Sequence, residues 1–505
     1  MINMLAWIFL ATIFGQIIIL FLGYTFLHLL MNNNEFPVLQ KLAISYGLGS
    51  GILAISMFIC IVLGLHSRVS FIPIILITSC LFFYLKIYKI IKKDAQELLY
   101  MIKRKFRFNN IEYFCLILLS IEIVYIFSIC LVYPLIIWDP VVIWEPRARY
   151  IFYDGNFSFY NYYTVHLGYP ILTPLCNTFF YSLYLQPHSF IQLHNATFLF
   201  CLMIFLFYSL RNLKLDRTYS VLITTLIMLI PEIFIHSTQV TGDFLLTLYY
   251  TMSTVFLSHY FFTRKTHYLL YSSVFMGLMA FTKNEGLGLA VVNIGVFLLY
   301  LVIFVIKKEN DFKEILKQSL LFIIPGLILY MPWMIFSYYQ SLSSEYLLNI
   351  LEIFNIPNMM IDLLIIFIAT LLEIIWAPFW IIFFSVVLLK LKNFYEKKLF
   401  FLLVFCFFHI VLKTAIYVVS PYEIISHLIL SYNREFMHLA PFAGFTLGVF
   451  MLYYEDFQID LKNNIAFQKK VVFRVSLFIM IYIAITIFLF NLINLYVPTI
   501  LQGAP

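Results

Sequence analysis

The fold is decided by residues 111–149, which read IEYFCLILLSIEIVYIFSICLVYPLIIWDPVVIWEPRAR. The part up to residue 137 is apolar and long enough to cross a hydrocarbon layer about 30 Å thick, which needs roughly 20 apolar residues. The part from Trp138 to Arg149 is too polar to cross, because it holds two acids, two arginines and two prolines. Ionisable groups beside the apolar layer occur mainly where they line a cavity or carry function. The stretch therefore indicates an enzyme or a transporter.

The composition of the whole chain gives the class. Of 505 residues, 63% are hydrophobic, 19% aromatic and only 11% charged, which is far from the soluble average. We expect an all-α, polytopic integral membrane protein, with Met4 to Leu30 as a retained helix rather than a signal peptide. The net charge of +7 is spread over the ends of apolar runs, so it predicts membrane topology and no nucleic acid partner. The seven cysteines lie inside apolar runs without metal-binding spacing and are interpreted as packing residues.

The apolar runs predict about 14 transmembrane helices. Their expected bounds are 4–30, 38–65, 70–91, 111–137, 190–211, 218–235, 244–262, 268–283, 287–306, 320–340, 361–389, 399–420, 434–454 and 472–495.

The basic residues assign a side to each loop. The loop from Lys86 to Asn110 carries eight lysines and arginines, so the positive-inside rule places it in the cytoplasm. If successive spans cross the membrane in opposite directions, nearly all the other basic residues also lie on the cytoplasmic side. Lys413 lies inside a span, and the basic residues left outside are Arg68, Arg147, Arg149, Lys283 and Arg434.

This assignment requires that the apolar segment from Tyr169 to Leu185 does not cross. If it crossed, the basic residues between Arg211 and Arg217 would fall outside. The segment contains Pro170 and Pro174, and we interpret it as a juxtamembrane or re-entrant element packed against the bundle. Residues 138–189 then form one long external loop with juxtamembrane helices.

Three acidic motifs share the predicted outer face. They are the stretch around Asp139, the Gly242-Asp243 pair, and Lys283-Asn284-Glu285-Gly286. Loops that converge at one membrane surface are a way to build an active site on a helical scaffold. The alternative is structural: Asp139 before Pro140, and Asp243 before a span, could each be a helix N-cap.

The remaining candidates also have two interpretations. Glu145 and Arg149 are four residues apart and could form a helical ion pair, and the outer arginines could anchor at lipid headgroups. The rings of Tyr162, His166 and Tyr169 fit an interfacial aromatic belt or a surface that packs against sugar rings. The chain has no P-loop, GxGxxG, HExxH or GxSxG motif, so nucleotide-fuelled chemistry has no support.

The external motifs resemble those of the GT-C glycosyltransferases, in particular the protein mannosyltransferase and aminoarabinose transferase branch. The resemblance covers about residues 111–306 and rests on Asp139, then Trp144, Arg147, Arg149 and Gly155, then His166 with Tyr169-Pro170, then Gly242-Asp243 and Lys283-Asn284-Glu285-Gly286. The sequence departs from the family in lacking paired acids at the first site, where Pro140 follows Asp139.

The resemblance implies inverting transfer of a sugar from a polyprenyl-phosphate donor to a surface glycan, lipid or protein. It makes Asp139 the general base, with Asp243 and Glu285 as further catalytic acids that orient the acceptor or hold a divalent metal ion. No other cofactor is expected. Arg147, Arg149 and Lys283 would bind the donor phosphate, and the residues expected to bind substrate are Trp144, Glu145, Tyr162, His166 and Tyr169.

The expected organisation is an N-terminal addition (1–110), a catalytic module (111–306) and a C-terminal bundle (307–505), in a bacterial plasma (inner) membrane with the site on the external or periplasmic side. Two alternatives stay open: a surface-polysaccharide polymerase or ligase that uses a lipid-diphosphate donor, and a lipid-glycan transporter or flippase. A transporter would be indicated by internal repeats and by ionisable groups at mid-membrane, whereas the candidate residues here cluster at one surface.

Overall fold

The computed structural model describes residues 2–30, 36–104, 107–163, 165–306, 312–342, 365, 376, 379–389, 397–419 and 424–452. Throughout these residues the regular structure is helical, without a strand. A helix satisfies its backbone polar groups internally, as an apolar surrounding requires. The α-helices are α1 (Ile2–Leu30), α2 (Val38–Val62), α3 (Ile72–Tyr84), α4 (Ile87–Lys103), α5 (Asn110–Val132), α6 (Glu145–Asp154), α7 (Leu172–Tyr184), α8 (Gln192–Asn212), α9 (Arg217–Met228), α10 (Pro231–Ser237), α11 (Gly242–Thr263), α12 (His267–Thr282), α13 (Asn284–Ile306), α14 (Phe312–Tyr339), α15 (Phe379–Leu389), α16 (Lys397–Val418), α17 (Ile424–Met437) and α18 (Ala440–Leu452).

Among the described residues, seven helical segments are long and apolar enough to cross a membrane, and up to ten if three bent pairs each count as one span. The expected all-helical fold is confirmed, and these helices are consistent with a multi-pass membrane protein. The number of fourteen crossings stays a prediction, because residues 472–495 and most of 361–389 lie outside the described residues. The seven segments are Met4–Leu30, Val38–Val62, Asn110–Val132, Ser189–Asn212, Asn284–Ile303, Lys313–Tyr339 and Leu399–Val418.

Bends interrupt three of the predicted spans. The predicted helix 70–91 is wrong as a single element, because α3 and α4 meet at 81° and Lys86 between them has a left-handed backbone with φ of 55°. The predicted span 218–235 is divided into α9 and α10, which meet at 69°. Pro231 begins α10 and has no N–H to continue the preceding helix. The third bend, of 41°, separates α17 from α18.

The segment expected not to cross is α7 with its flanking loops. α7 has 13 residues and is therefore about 20 Å long, too short to span the apolar layer. Almost all of it is buried. The hydroxyls of Tyr184 and Thr12 lie 2.7 Å apart, and the Cys176 thiol donates to the carbonyl of Ser50 at 3.6 Å. These contacts with α1 and α2 confirm the prediction that the segment packs against the bundle.

The helix α11 lies at the centre of the molecule. Every residue from Gly242 to Phe261 is buried, and α11 pairs with α12 through two reciprocal hydrogen bonds between Ser253 and Ser272, of 2.9 and 2.8 Å. Asn293 of α13 donates to the Ser253 hydroxyl at 2.9 Å. The buried hydroxyls thus find partners on neighbouring helices, which holds the α11–α12–α13 unit together.

Charged residues collect at the two ends of this unit. At one end, Arg217 pairs with Glu112 at 2.7 Å, and the Arg264 guanidinium lies 4.6 Å from the centre of the Tyr300 ring. Asp243 lies in the first turn of α11 and Arg264 follows its last residue, a separation of about 30 Å along the helix. The predicted external residue Asp243 and the predicted cytoplasmic residue Arg264 therefore lie at opposite ends of α11.

Candidate functional site

The first part of the site is a buried ion cluster at the N-terminal end of α11. The Lys283 ammonium lies 2.9 Å from Asp243 Oδ1 and 2.9 Å from Glu285 Oε1. This contact arises because α11 and α12 are antiparallel. Lys283 directly follows the last residue of α12 and therefore lies beside the first turn of α11. Asp243 is not an N-cap, since Thr241 holds that position.

The charges of this cluster stabilise one another. Burial alone would raise the pKa of the Asp243 carboxyl, but the positive charges of Lys283 and Arg434 outweigh it and hold that pKa well below its usual range. Burial would lower the pKa of the Lys283 ammonium, but the carboxylates of Asp243 and Glu285 raise it well above its usual value. Both groups are therefore charged at neutral pH.

The second part of the site joins two distant segments. Asp139 precedes a π-helical turn (Pro140–Trp144), and its side chain makes no capping hydrogen bond. Its carboxylate instead forms an ion pair with Arg434 of α17. Asp139 thus stands at the predicted N-cap position before Pro140, but its side chain binds Arg434 rather than capping the turn. The two side chains are 20% and 24% exposed, which makes this pair more open than those of Lys283 and Lys413.

Residues of α16 and α17 complete the site. Glu435 pairs with Lys413, and the Thr247 hydroxyl lies 2.9 Å from Nδ1 of His438. Nε2 of the same histidine is 3.9 Å from Asp243 Oδ1. Lys413 and Arg434 are recognisable in the sequence as a basic residue within a span and an outer basic residue, whereas Glu435 and His438 are not among the predicted site residues. The available signal was the Asn433-Arg434-Glu435 triplet at the start of an apolar run.

Arg147 is placed away from the ion cluster. It is fully buried, and its guanidinium donates to the carbonyls of Val165 at 2.9 Å, of Tyr169 at 3.3 Å and of His166. These three hydrogen bonds stabilise the conformation of the external loop, because a charged donor makes each of them strong. Arg147 is therefore a positioning residue for the loop in this structure.

Arg149 and Glu145 form the ion pair that their spacing predicts. The Tyr181 hydroxyl donates to the same carboxylate at 2.8 Å. Arg149 lies at the surface and Arg147 in the interior, because residues two apart on a helix point about 200° apart. The structure thus does not bring the two arginines to one phosphate-sized location.

A stack of three rings covers the ion cluster. The Trp144 and Tyr169 rings are 6.0 Å apart with an interplanar angle of 18°, and the His166 and Tyr169 rings are 5.0 Å apart at 7°. The Lys283 ammonium lies 5.5 Å from the centre of the Tyr169 ring. Three of the predicted substrate residues therefore lie beside the catalytic candidates. Tyr162 is exposed, and its hydroxyl donates to Asp154 instead.

Gly242 allows this ring stack to reach α11. A Cβ atom at Gly242 would lie 2.7 Å from Cη2 of Trp144, closer than real Cβ contacts occur. The absence of a side chain thus lets the indole lie directly on the first turn of α11, next to Asp243.

Several buried polar atoms of the site have no hydrogen-bond partner among the described residues. Two are acceptors, Asp243 Oδ2 and Glu285 Oε2, and two are donors, the N–H groups of Trp144 Nε1 and Arg434 Nε; His438 Nε2 is the fifth. Buried polar groups are nearly always satisfied. These five atoms are therefore candidate contacts for a polar ligand or water.

The donor set does not fit the expected metal ion. Asp243 and Glu285 both face the Lys283 ammonium, which occupies the position between their oxygens. In the part of the chain that the structure describes, no group of three or more His, Cys, Asp and Glu side chains is arranged to hold a metal. We therefore assign no step to a metal.

No family model, no curated protein and no solved structure matches the chain. The resemblance to the GT-C glycosyltransferases accordingly rests on the external motifs alone, and the site has to be interpreted from its own geometry.

Proposed function

We propose that the protein is a membrane glycosyltransferase that moves a sugar from a polyprenyl-phosphate donor to an acceptor hydroxyl of a surface glycan, lipid or protein, on the outer face of a bacterial plasma membrane. The observation that carries the proposal is the set of five unsatisfied polar atoms within a charged cluster under stacked rings. Sugar hydroxyls both donate and accept hydrogen bonds, so they match a site that offers carboxylate acceptors and N–H donors together. The flat stack beside these atoms suits a sugar ring.

Arg434 is the best-placed contact for the donor phosphate. All three cations of the cluster are already paired, so an anionic ligand has to compete with a carboxylate. Breaking a buried ion pair costs about 3–5 kcal/mol, and Lys283 and Lys413 are 4% and 1% exposed. The Arg434–Asp139 pair is more open than the lysine pairs, with side chains 24% and 20% exposed, so water can reach its charges more easily when it separates. The planar guanidinium of Arg434 also suits a phosphate.

Asp139 is the base in this proposal. When Arg434 turns to the donor phosphate, the Asp139 carboxylate loses its partner and can accept the proton of the acceptor hydroxyl. The hydroxyl oxygen then bonds to the anomeric carbon, the bond from that carbon to the phosphate oxygen breaks, and the electron pair leaves with the polyprenyl phosphate. Attack from the opposite face inverts the anomeric centre. Asp243, Lys283 and Glu285 keep the cleft charged and orient the sugar.

The test uses purified protein in nanodiscs with a panel of synthetic polyprenyl phosphates that carry neutral or amino sugars, and measures release of polyprenyl phosphate by chromatography. Asp139→Asn should lower turnover by about 100-fold or more, the usual contribution of a general base. Arg434→Gln should raise KM for the donor. Asp154→Asn is the matched control, since Asp154 is an exposed acid of the same external loop, and it should retain turnover.

Other outcomes would redirect the assignment. Near-normal turnover in Asp139→Asn would remove that residue as the base. Turnover with a lipid-diphosphate sugar alone would indicate a polymerase or ligase. Movement of a lipid-linked sugar across proteoliposomes, with no transfer from any donor, would indicate a flippase. Mass spectrometry of the lipid that copurifies with the protein provides an independent check, because a polyprenyl phosphate is expected.

A further inference from the structure

The helix α4 exposes apolar side chains that the bundle leaves uncovered. Of its 17 residues, Ile87 and Asp94 alone are buried. At 100° per residue, the sector next to these two holds large apolar side chains on the surface: Tyr88, Ile91, Leu99 and Ile102. Ile102 is 79% exposed. Contact of so many large apolar side chains with water is unfavourable, so lipid or protein is expected to cover the stripe.

The other side of α4 is basic. Lys92 and Lys103 border the apolar stripe, and Lys89 and Lys93 lie further round the helix; all four are exposed. Glu97 is the acid on the exposed surface, because Asp94 is neutralised inside the bundle. A helix with an apolar stripe and a lysine-rich polar face is typical of elements that lie in the plane of a membrane interface.

A buried ion pair fixes the position of α4 relative to the bundle. The Lys41 ammonium lies 2.9 Å from Asp94 Oδ2, and the Tyr24 hydroxyl donates to the same oxygen at 2.6 Å. Lys41 is one turn inside the start of α2, and Tyr24 is less than two turns from the end of α1. α4 therefore lies about 5–10 Å inside the helix ends, which is the depth at which interfacial helices bury their apolar face.

The sharp bend before α4 gives it the required direction. α3 contacts α1, a candidate span, where the Phe21 and Phe82 rings lie 5.2 Å apart. The angle of 81° between α3 and α4 then turns α4 across the direction of a span. A helix that runs along the membrane plane can present its stripe to acyl chains over its whole length.

We propose that α4 is a membrane-interface helix that binds anionic phospholipid headgroups through Lys89, Lys92, Lys93 and Lys103, with its apolar stripe in the acyl region. Charge complementarity selects anionic over zwitterionic lipid, since each basic residue near a negatively charged leaflet contributes about fivefold to membrane association. This inference is independent of the proposed enzyme activity.

The experiment places spin labels on opposite faces of α4 in the full chain. Ile102 and Lys93 are nine residues apart and so point in opposite directions. Each is replaced by cysteine in a background that carries Cys60→Ser and Cys80→Ser, which removes the two native thiols that are not buried. The protein is placed in nanodiscs of phosphatidylcholine, alone or mixed with phosphatidylglycerol. Collisions with oxygen and with a water-soluble nickel chelate are measured for each label.

The label at Ile102→Cys should be more accessible to oxygen, and the label at Lys93→Cys more accessible to the nickel chelate. Phosphatidylglycerol should increase this difference. Changing Lys89, Lys92 and Lys103 together to Gln should remove the increase but keep the fold, because these side chains are exposed. Equal accessibility of both labels to the chelate would overturn the proposal. So would a difference that does not depend on phosphatidylglycerol, or spin–spin broadening at Ile102→Cys in proteoliposomes, which would show a second copy on the stripe.

Discussion

Replacement of Lys283 by Met should destabilise the protein strongly, because it leaves Asp243 as an uncompensated buried charge. Two unit charges 2.9 Å apart attract by about 6 kcal/mol at an effective dielectric constant of about 20. Desolvation offsets part of this, so removal of one partner costs about 3–5 kcal/mol. We expect a loss of that size in the free energy of unfolding, measured by reversible titration with sodium dodecyl sulfate in mixed micelles.

The double variant Asp243→Asn with Lys283→Met should be more stable than the sum of the two single changes predicts. The buried charge is then absent together with its counter-ion, and Glu285 is 18% exposed, so water can solvate it. The interaction free energy from this cycle should be about 2 kcal/mol or more, within the range for residues in direct contact. Glu285→Gln alone is the control and should cost less than about 1 kcal/mol.

The pH dependence of stability provides a second test of the same pair. The lowered pKa of Asp243 contributes stability above the unfolded pKa of about 4, and this is lost as the pH falls through the folded value. The raised pKa of Lys283 contributes stability below about pH 10.4, which is lost at more alkaline pH. The pair should therefore contribute constantly from about pH 5 to 9. Additive single substitutions, or a contribution that titrates near neutral pH, would refute the buried pair.

Two further substitutions test the surroundings of the site and of α4. Gly242→Ala should lower the free energy of unfolding by about 1–3 kcal/mol, because the new methyl group would displace the Trp144 ring. The tryptophan fluorescence spectrum should shift as well. Gly295→Ala is the control and should not destabilise the protein, because a Cβ atom there would meet no atom within 4 Å. Asp94→Asn should cost about 3–5 kcal/mol by leaving its buried lysine unpaired, while Glu97→Gln on the exposed side of α4 should be nearly neutral; equal effects of these two in the same titration would contradict the anchoring of α4.

The sequence predicts the all-helical class, because this depends on local properties. Apolar length and charge bias indicate the membrane fold, and the motifs at Asp243 and Lys283 sit at helix ends that an antiparallel pair brings together. The structure places these two residues in contact. The bend at Lys86 was not predictable in the same way, since no proline or glycine marks it.

Contacts between distant segments could not be predicted from the chain alone. Asp139 and Arg434 are 295 residues apart, and no periodicity relates them. The two arginines of α6 show a different limit: the motif treats Arg147 and Arg149 as equivalent, but helix geometry sends them to opposite sides. The buried Arg147 therefore donates hydrogen bonds to the backbone of the loop, whereas the surface Arg149 pairs with Glu145.

The C-terminal segments contribute chemistry that the predicted catalytic module, residues 111–306, lacks. Within that module Glu145 pairs with Arg149, and Lys283 pairs with Asp243 and Glu285, whereas Asp139 pairs with Arg434 from outside the module. α17 adds this partly buried cation and Glu435, which pairs with Lys413, and His438 directly after α17 lies 3.9 Å from Asp243. If the phosphate contact is the most easily released cation of the site, as the exposures indicate, then α17 decides whether the donor binds. The base and the donor contact would thus come from segments 295 residues apart, and binding of the donor would itself free the base.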